Sequence, residues 1–172
     1  MTPPPLRLIR GSLEEPDGWS WFCGQCASRP SEEPVSPRGR VCRSCGMGLL
    51  LETRSNAAPL RDDAFLVVDS SLTVQAVSRR AQALLGVSEE EAMSQPVAQF
   101  LGAADAEARE AGEFINLLRA ASAGSEEVRS LFVRPLGAFG VRVIARIVPC
   151  GPPRAALVVL GGRSARDFLY VV

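Results

Sequence analysis

Residues 63–101 read DAFLVVDSSLTVQAVSRRAQALLGVSEEEAMSQPVAQFL, and this stretch decides the fold. Phe65-Leu66-Val67-Val68 is an apolar run of β-formers, and Asp69-Ser70-Ser71 supplies turn chemistry after it. Leu72, Val74 and Ala76 then alternate with Thr73, Gln75 and Val77, the pattern of a strand with one buried face. Ser78 has the chemistry of an N-cap for a helix with Ala81, Leu84 and Leu85 on one side, and Gly86 is its C-terminal stop. Ser88 and Glu91 have capping-box spacing for the next short helix.

An apolar strand ending in Asp, a second strand ending in Ala-Val-Ser and a helix reading A-x-x-L-L-G-V resemble the opening of a PAS sensor domain. Residues 86–111 are broken by Pro96 and Gly102 and read as short helical turns. Gly112–Ser122 carries Phe114, Leu117, Leu118 and Ala121 on one helical stripe. Strands are expected at Glu127–Arg134, Val141–Val148 and Ala155–Leu160, with turns at Pro135–Gly140 and Pro149–Pro153. The fold class is α+β. The resemblance covers residues 62–160 and implies a five-stranded antiparallel sheet with short helices on one face, often around a cavity. Phe100, Phe114, Leu118, Phe132, Val143 and Ile147 are the candidates to line that interior, as ordinary core or around a small apolar ligand.

Upstream, residues 19–46 read WSWFCGQCASRPSEEPVSPRGRVCRSCG. Cys23 and Cys26 form one C-x-x-C, Cys42 and Cys45 a second, and fifteen residues separate the pairs. A C-x-x-C turn lets two thiolates reach one metal while backbone amides point at the sulfurs, and two such turns complete a tetrahedron. Gly24 and Gly46 ease the turns. Pro30, Pro34, Pro37 and Gly39 keep the intervening segment from being a helix. The whole resembles a four-cysteine zinc ribbon, which implies one structural Zn2+ per chain and no open catalytic position. Two disulfides, a redox pair and a rubredoxin-like iron site are the alternatives; the absence of a βαβ context and of a proline within the second pair weigh against the last two. Trp19 and Trp21 precede the first knuckle, and Arg38, Arg40 and Arg43 flank the second. They are candidates for contact with a protein or nucleic acid. Packing on the knuckle, for the tryptophans, and compensation of the thiolate charge, for Arg40 and Arg43, are the plainer readings.

The division expected is a flexible leader (1–18), the ribbon (19–52), a linker (53–61), the PAS-like domain (62–160) and a tail (161–172) whose Phe168–Val172 is apolar. Net charge is zero over 172 residues, so there is no global electrostatic case for nucleic acid or an anionic membrane. All 19 basic residues are Arg, which points to the coding bias of a GC-rich bacterium. Histidine is absent, which removes His-based triads, phosphohistidine and histidine ligation of haem. No cysteine lies between Cys45 and Cys150, so the reactive cysteine of light-sensing flavin domains is missing. Cys150 is read as an incidental thiol in a turn. No apolar run is long enough for a membrane span, and the first residues lack a signal peptide's core, so a cytoplasmic setting with reduced thiols is expected. The expected function is a non-enzymatic signalling or regulatory protein. In it the PAS-like domain senses a small molecule or dimerises, and the ribbon contacts a protein partner; the alternative is a ribbon-led, nucleic-acid-binding transcriptional regulator.

Overall fold

The computed structural model describes residues 18–161, apart from 33, 35, 36, 105–107 and 139. The expected leader and apolar tail lie outside the described residues but for Gly18 and Gly161. In chain order the elements are β1 (Trp19–Cys23), β2 (Leu50–Arg54), β3 (Ala64–Val68), β4 (Val74–Val77), α1 (Arg79–Leu85), α2 (Glu89–Ala92), β5 (Leu101–Ala103), α3 (Ala108–Ser122), β6 (Arg129–Pro135), β7 (Val143–Gly151) and β8 (Ala155–Leu160). One antiparallel sheet runs β1-β2-β7-β8-β3-β4, with β6 pairing β7 and β5 pairing β6. The α+β class expected from the sequence, an antiparallel sheet with short helices on one face, is the one observed; the sheet has eight strands and not five, because β2 pairs with β7 and brings the hairpin of the expected ribbon into it.

The inner strands explain the layering. Every residue of β3 and of β8 is buried. Side chains of a strand point alternately to opposite faces, so both faces of this sheet must be covered. Ala64, Leu66 and Val68, with Ala156, Val158 and Leu160, meet Leu85, Phe114 and Leu118 of the helices. Phe65, Val67, Leu157 and Val159 point the other way and meet Phe22, Ala27, Leu51 and Ala57. The β1–β2 hairpin thus lies across the outer face as a strap. Phe22 stands edge-on to Phe65, their ring centroids 6.0 Å apart at 81°.

The strand after the Asp69 turn differs from the expected alternation. Val68 pairs Val74 while Val67 pairs Ala76, so the register slips at Gln75. Val74 and Val77 therefore both reach the helix-side core, and Ala76 faces the strap. Asp69 closes the turn by accepting from Ser71 and Thr73 amides, the Thr73 hydroxyl and the Gln75 amide group. The caps fall where expected: Gly86 is left-handed at φ 68°, and Ser88 and Glu91 form the capping box. Strand β5 was not expected, because three residues of Leu-Gly-Ala carry no strand pattern; its pairing with Val133–Pro135 makes it one. Helix α3 begins at Ala108, earlier than Gly112. Strand β7 runs on to Gly151, because β2 pairs there (Glu52 with Gly151, Thr53 with Cys150). Cys150 is thus a buried strand residue, not a turn thiol.

Ser78 ties the sheet to α1. Its hydroxyl accepts from Ala81 N as the helix cap and from Phe65 N at 2.9 Å, and donates to Asp63 O. Removing it leaves a buried Phe65 N–H without a partner and a helix without a cap. Ser78→Ala is expected to lower unfolding free energy by about 2–3 kcal/mol in urea titration, with an unchanged m-value.

Candidate metal centre

The strand β1 ends in Cys23, and the chain then folds back on itself. Ala27 N bonds Cys23 O, and Gly24 N bonds Leu49 O, which brings the first knuckle against the start of β2. The second knuckle is shaped by Gly46 N on Cys42 O and by Gly46 itself, left-handed at φ 73°. Val41 bridges Leu49 across its base. The result is a cluster: Cys23 Sγ lies 3.7 Å from Cys45 Sγ, Cys26 Sγ lies 3.8 Å from Cys42 Sγ, and all four sulfurs are within 4.8 Å of one another. Four soft donors so placed could hold a metal ion.

Backbone amides address two of the sulfurs. Gln25 N and Cys26 N donate to Cys23 Sγ at 3.4 and 3.5 Å, and Gly48 N donates to Cys45 Sγ at 3.3 Å. Burial acts against ionisation at both. It keeps Cys23 well above the usual thiol range despite the two amides. At Cys45 burial also pushes upward, but the amides of Met47 and Gly48 and the neighbouring sulfurs outweigh it and bring the thiol to about 7. A cation at the centre would favour the thiolate at every one of the four.

The sequence did not reveal how tightly the centre is closed. A Cβ on Gly48 would stand 2.3 Å from Cys23 Sγ, so only glycine fits there. Nor did it show that Gln25 Nε2 donates to Glu89 at 2.7 Å, tying the first knuckle to α2. Of the flanking residues, Trp21 is half-buried against the cysteine cluster. Trp19 is 42% exposed, with the Arg54 guanidinium 5.1 Å from its ring centroid. Arg40 donates to Pro152 O and Arg43 is exposed; the side chain of Arg38 lies outside the described residues.

Five of the six interior candidates share the helix-side core, and Phe132 does not. Phe114, Leu118, Val143 and Ile147 are buried in the helix-side core, and Phe100 packs half-buried at its edge. Phe132 is 45% exposed on the opposite face, under the Arg142 guanidinium. It pairs Ile144 in β6–β7, and that register sends Val133 inward in its place. Cys150 sits beneath the strap, where burial pushes its thiol up to about 12.

No family model matches the chain, and no curated protein matches it. Among solved structures it is similar to the PAS domain of an HTR-like protein from Haloarcula marismortui, at 17% identity over 57% of this chain and 78% of that one, TM-score 0.42. It is similar also to the PAS domain of nitrogen regulation protein NR(II) from Vibrio parahaemolyticus, at 16% identity over 57% and 86% of the two chains, TM-score 0.42. A PAS domain from Desulfitobacterium hafniense matches at 18% identity over 58% and 90%, TM-score 0.42.

Two outcomes test this geometry. Gly48→Ala is expected to weaken metal binding at least about tenfold, read by competition with a chromogenic chelator, because the added methyl displaces a sulfur. Cys150 is expected to resist iodoacetamide in the native protein at pH 7.5 and to react at an ordinary thiol rate in denaturant, read by peptide mass spectrometry.

Proposed function

We propose that this chain is a non-enzymatic regulatory protein in which a zinc-held strap is built onto a PAS-like sheet, and that the zinc-held surface contacts a protein partner. The metal reading is supported by the sulfur spacings of 3.7 and 3.8 Å between knuckles. A tetrahedral zinc with Zn–S of about 2.3 Å places its sulfurs about 3.8 Å apart. Cys23, Cys26, Cys42 and Cys45 fill that tetrahedron, so neither water nor substrate has a position on the metal. The role of the ion is structural, and it requires reduced thiols, which fits a cytoplasmic setting.

The observation that carries the partner reading is the apolar rim of the second knuckle. Val41, Leu49 and Met47 are 47%, 49% and 70% exposed on a loop that the metal would make rigid. Beside it runs a groove of about 430 Å³, lined by Arg29, Pro30, Val41, Arg43 and Leu50 among others. A rigid apolar rim next to a groove that carries Arg29 and Arg43 with Glu32 suits a partner that presents an apolar side chain beside charged groups. The nucleic-acid alternative draws on Arg43 and the exposed Arg29; Arg40 is engaged with Pro152. The PAS-like module would add sensing or self-association.

Native mass spectrometry of the untagged protein, purified without chelator, is expected to show one zinc per chain, lost in Cys42→Ser/Cys45→Ser. Four cysteines paired as two disulfides without metal would overturn the reading. Met47→Asp/Leu49→Asp is expected to keep its zinc and fold and to lose the co-purifying partner that the unsubstituted protein retains. Retention of that partner would move the contact surface elsewhere.

A further inference from the structure

The strap is fastened differently at its two ends. At the β7 end, Thr53 Oγ1 donates to Pro149 O at 2.8 Å in a buried bond, and Glu52 and Thr53 join the sheet. Those ties need no metal. At the far end the first knuckle rests on β4, where a Cβ at Gly24 would lie 3.5 Å from the Ala76 methyl, and Gln25 reaches Glu89. The buried residues of the cluster around the sulfurs are Cys23, Cys42 and Leu50, so two of its three core side chains are sulfur donors. A unit with so small an apolar core keeps its shape only while the metal joins its sulfurs. Cys23 follows Phe22 directly, and Leu50 precedes Leu51, so the shape of the knuckles sets how Phe22 and Leu51, the largest strap side chains turned to the sheet, meet it.

We infer that the four-cysteine cluster is a latch: with metal bound the strap is held over the outer face of the sheet, and with metal removed it opens about the β2–β7 pairing and uncovers Phe65, Val67, Leu157 and Val159. The latch rests on the reading that the cluster holds a metal. With metal, the knuckles are pre-ordered and the strap closes at little entropic cost. Without it, closing must also order the chain between Cys23 and Leu50, and the open population rises. Metal supply thereby controls exposure of an apolar sheet face that is otherwise buried.

The test uses the full chain with Val67→Cys, a near-isosteric reporter on the outer face, and Val158→Cys as the control on the helix-side face. Iodoacetamide labelling of each is followed by peptide mass spectrometry, with zinc bound and after dialysis against a chelator. Val67→Cys is expected to label about tenfold faster or more without zinc, since labelling through local opening follows the open population. Val158→Cys is expected to stay protected, and added zinc to restore both rates. An unchanged Val67→Cys rate overturns the latch, and so does an equal rise at Val158→Cys, which would mean global unfolding. If Val67→Cys does not fold, Leu157→Cys reports on the same face, and binding of a hydrophobic dye to the unsubstituted protein reads the same exposure. Absence of metal from the native protein would remove the metal reading and the latch together; bound metal with metal-independent labelling would remove the latch alone.

Discussion

Two adjacent strands with no polar side to offer dictate the architecture. Buried Val, Leu and Phe side chains such as those of β3 and β8 are each stabilised by about 1.5–3 kcal/mol relative to exposure. A sheet whose central strands are apolar on both faces therefore has to be covered twice. The helices α1 and α3 do this on one side, using Ala81, Leu85, Phe114 and Leu118. On the other side, among the described residues, the cover is a two-stranded hairpin with its loop and its connection to β3, through Phe22, Ala27, Leu51 and Ala57. A hairpin of that size is marginal by itself. Its backbone pairing with β7 and the clustered cysteines are what make it a second layer.

This division of labour separates two kinds of burial. The helix-side layer is held by many apolar contacts spread over six strands and three helices. The strap side concentrates its order in a few places: the Thr53 hydroxyl on Pro149 O, the Phe22–Phe65 ring pair and the sulfur cluster. Two side chains add local ties there: Arg40 donates to Pro152 O and Gln25 Nε2 donates to Glu89. Cys150 belongs to the same layer. Desolvation keeps it protonated, so it acts as a small apolar side chain and not as a nucleophile.

Much of this was legible in the residues. Ser78, Gly86 and the Ser88–Glu91 pair declare their helices because caps are local chemistry. The paired C-x-x-C turns announce the cluster because thiolate spacing is also local. What needed the structure was long-range. AFLVV and AALVVL do not alternate, and that was the available sign that both sheet faces are covered; periodicity alone gives no hint of what does the covering. Strand β7 extends through Pro149 and Cys150 because a partner distant in sequence pairs with its end, which the Pro-rich run disguised as a turn. Phe132 looked like core by composition, yet its register sends it to the exposed face beside Arg142. The place of Gly48 followed from no spacing rule, since its neighbour Cys23 is reached only after the knuckles fold together.

The pairing of β2 with β7 also sets an order of assembly. Thr53 and Pro149 are 96 positions apart, whereas Cys23 and Cys45 are separated by 22. Short loops close sooner and at lower entropic cost than long ones. As the chain leaves the ribosome, the knuckles can meet and take metal while the strands they will cover are still unmade. The hairpin then waits with Phe22 and Leu51 unpartnered until the C-terminal strands arrive. A metal ion joined to the four sulfurs in that interval would keep a short apolar edge from sampling wrong pairings, a role in assembly distinct from any in the finished fold.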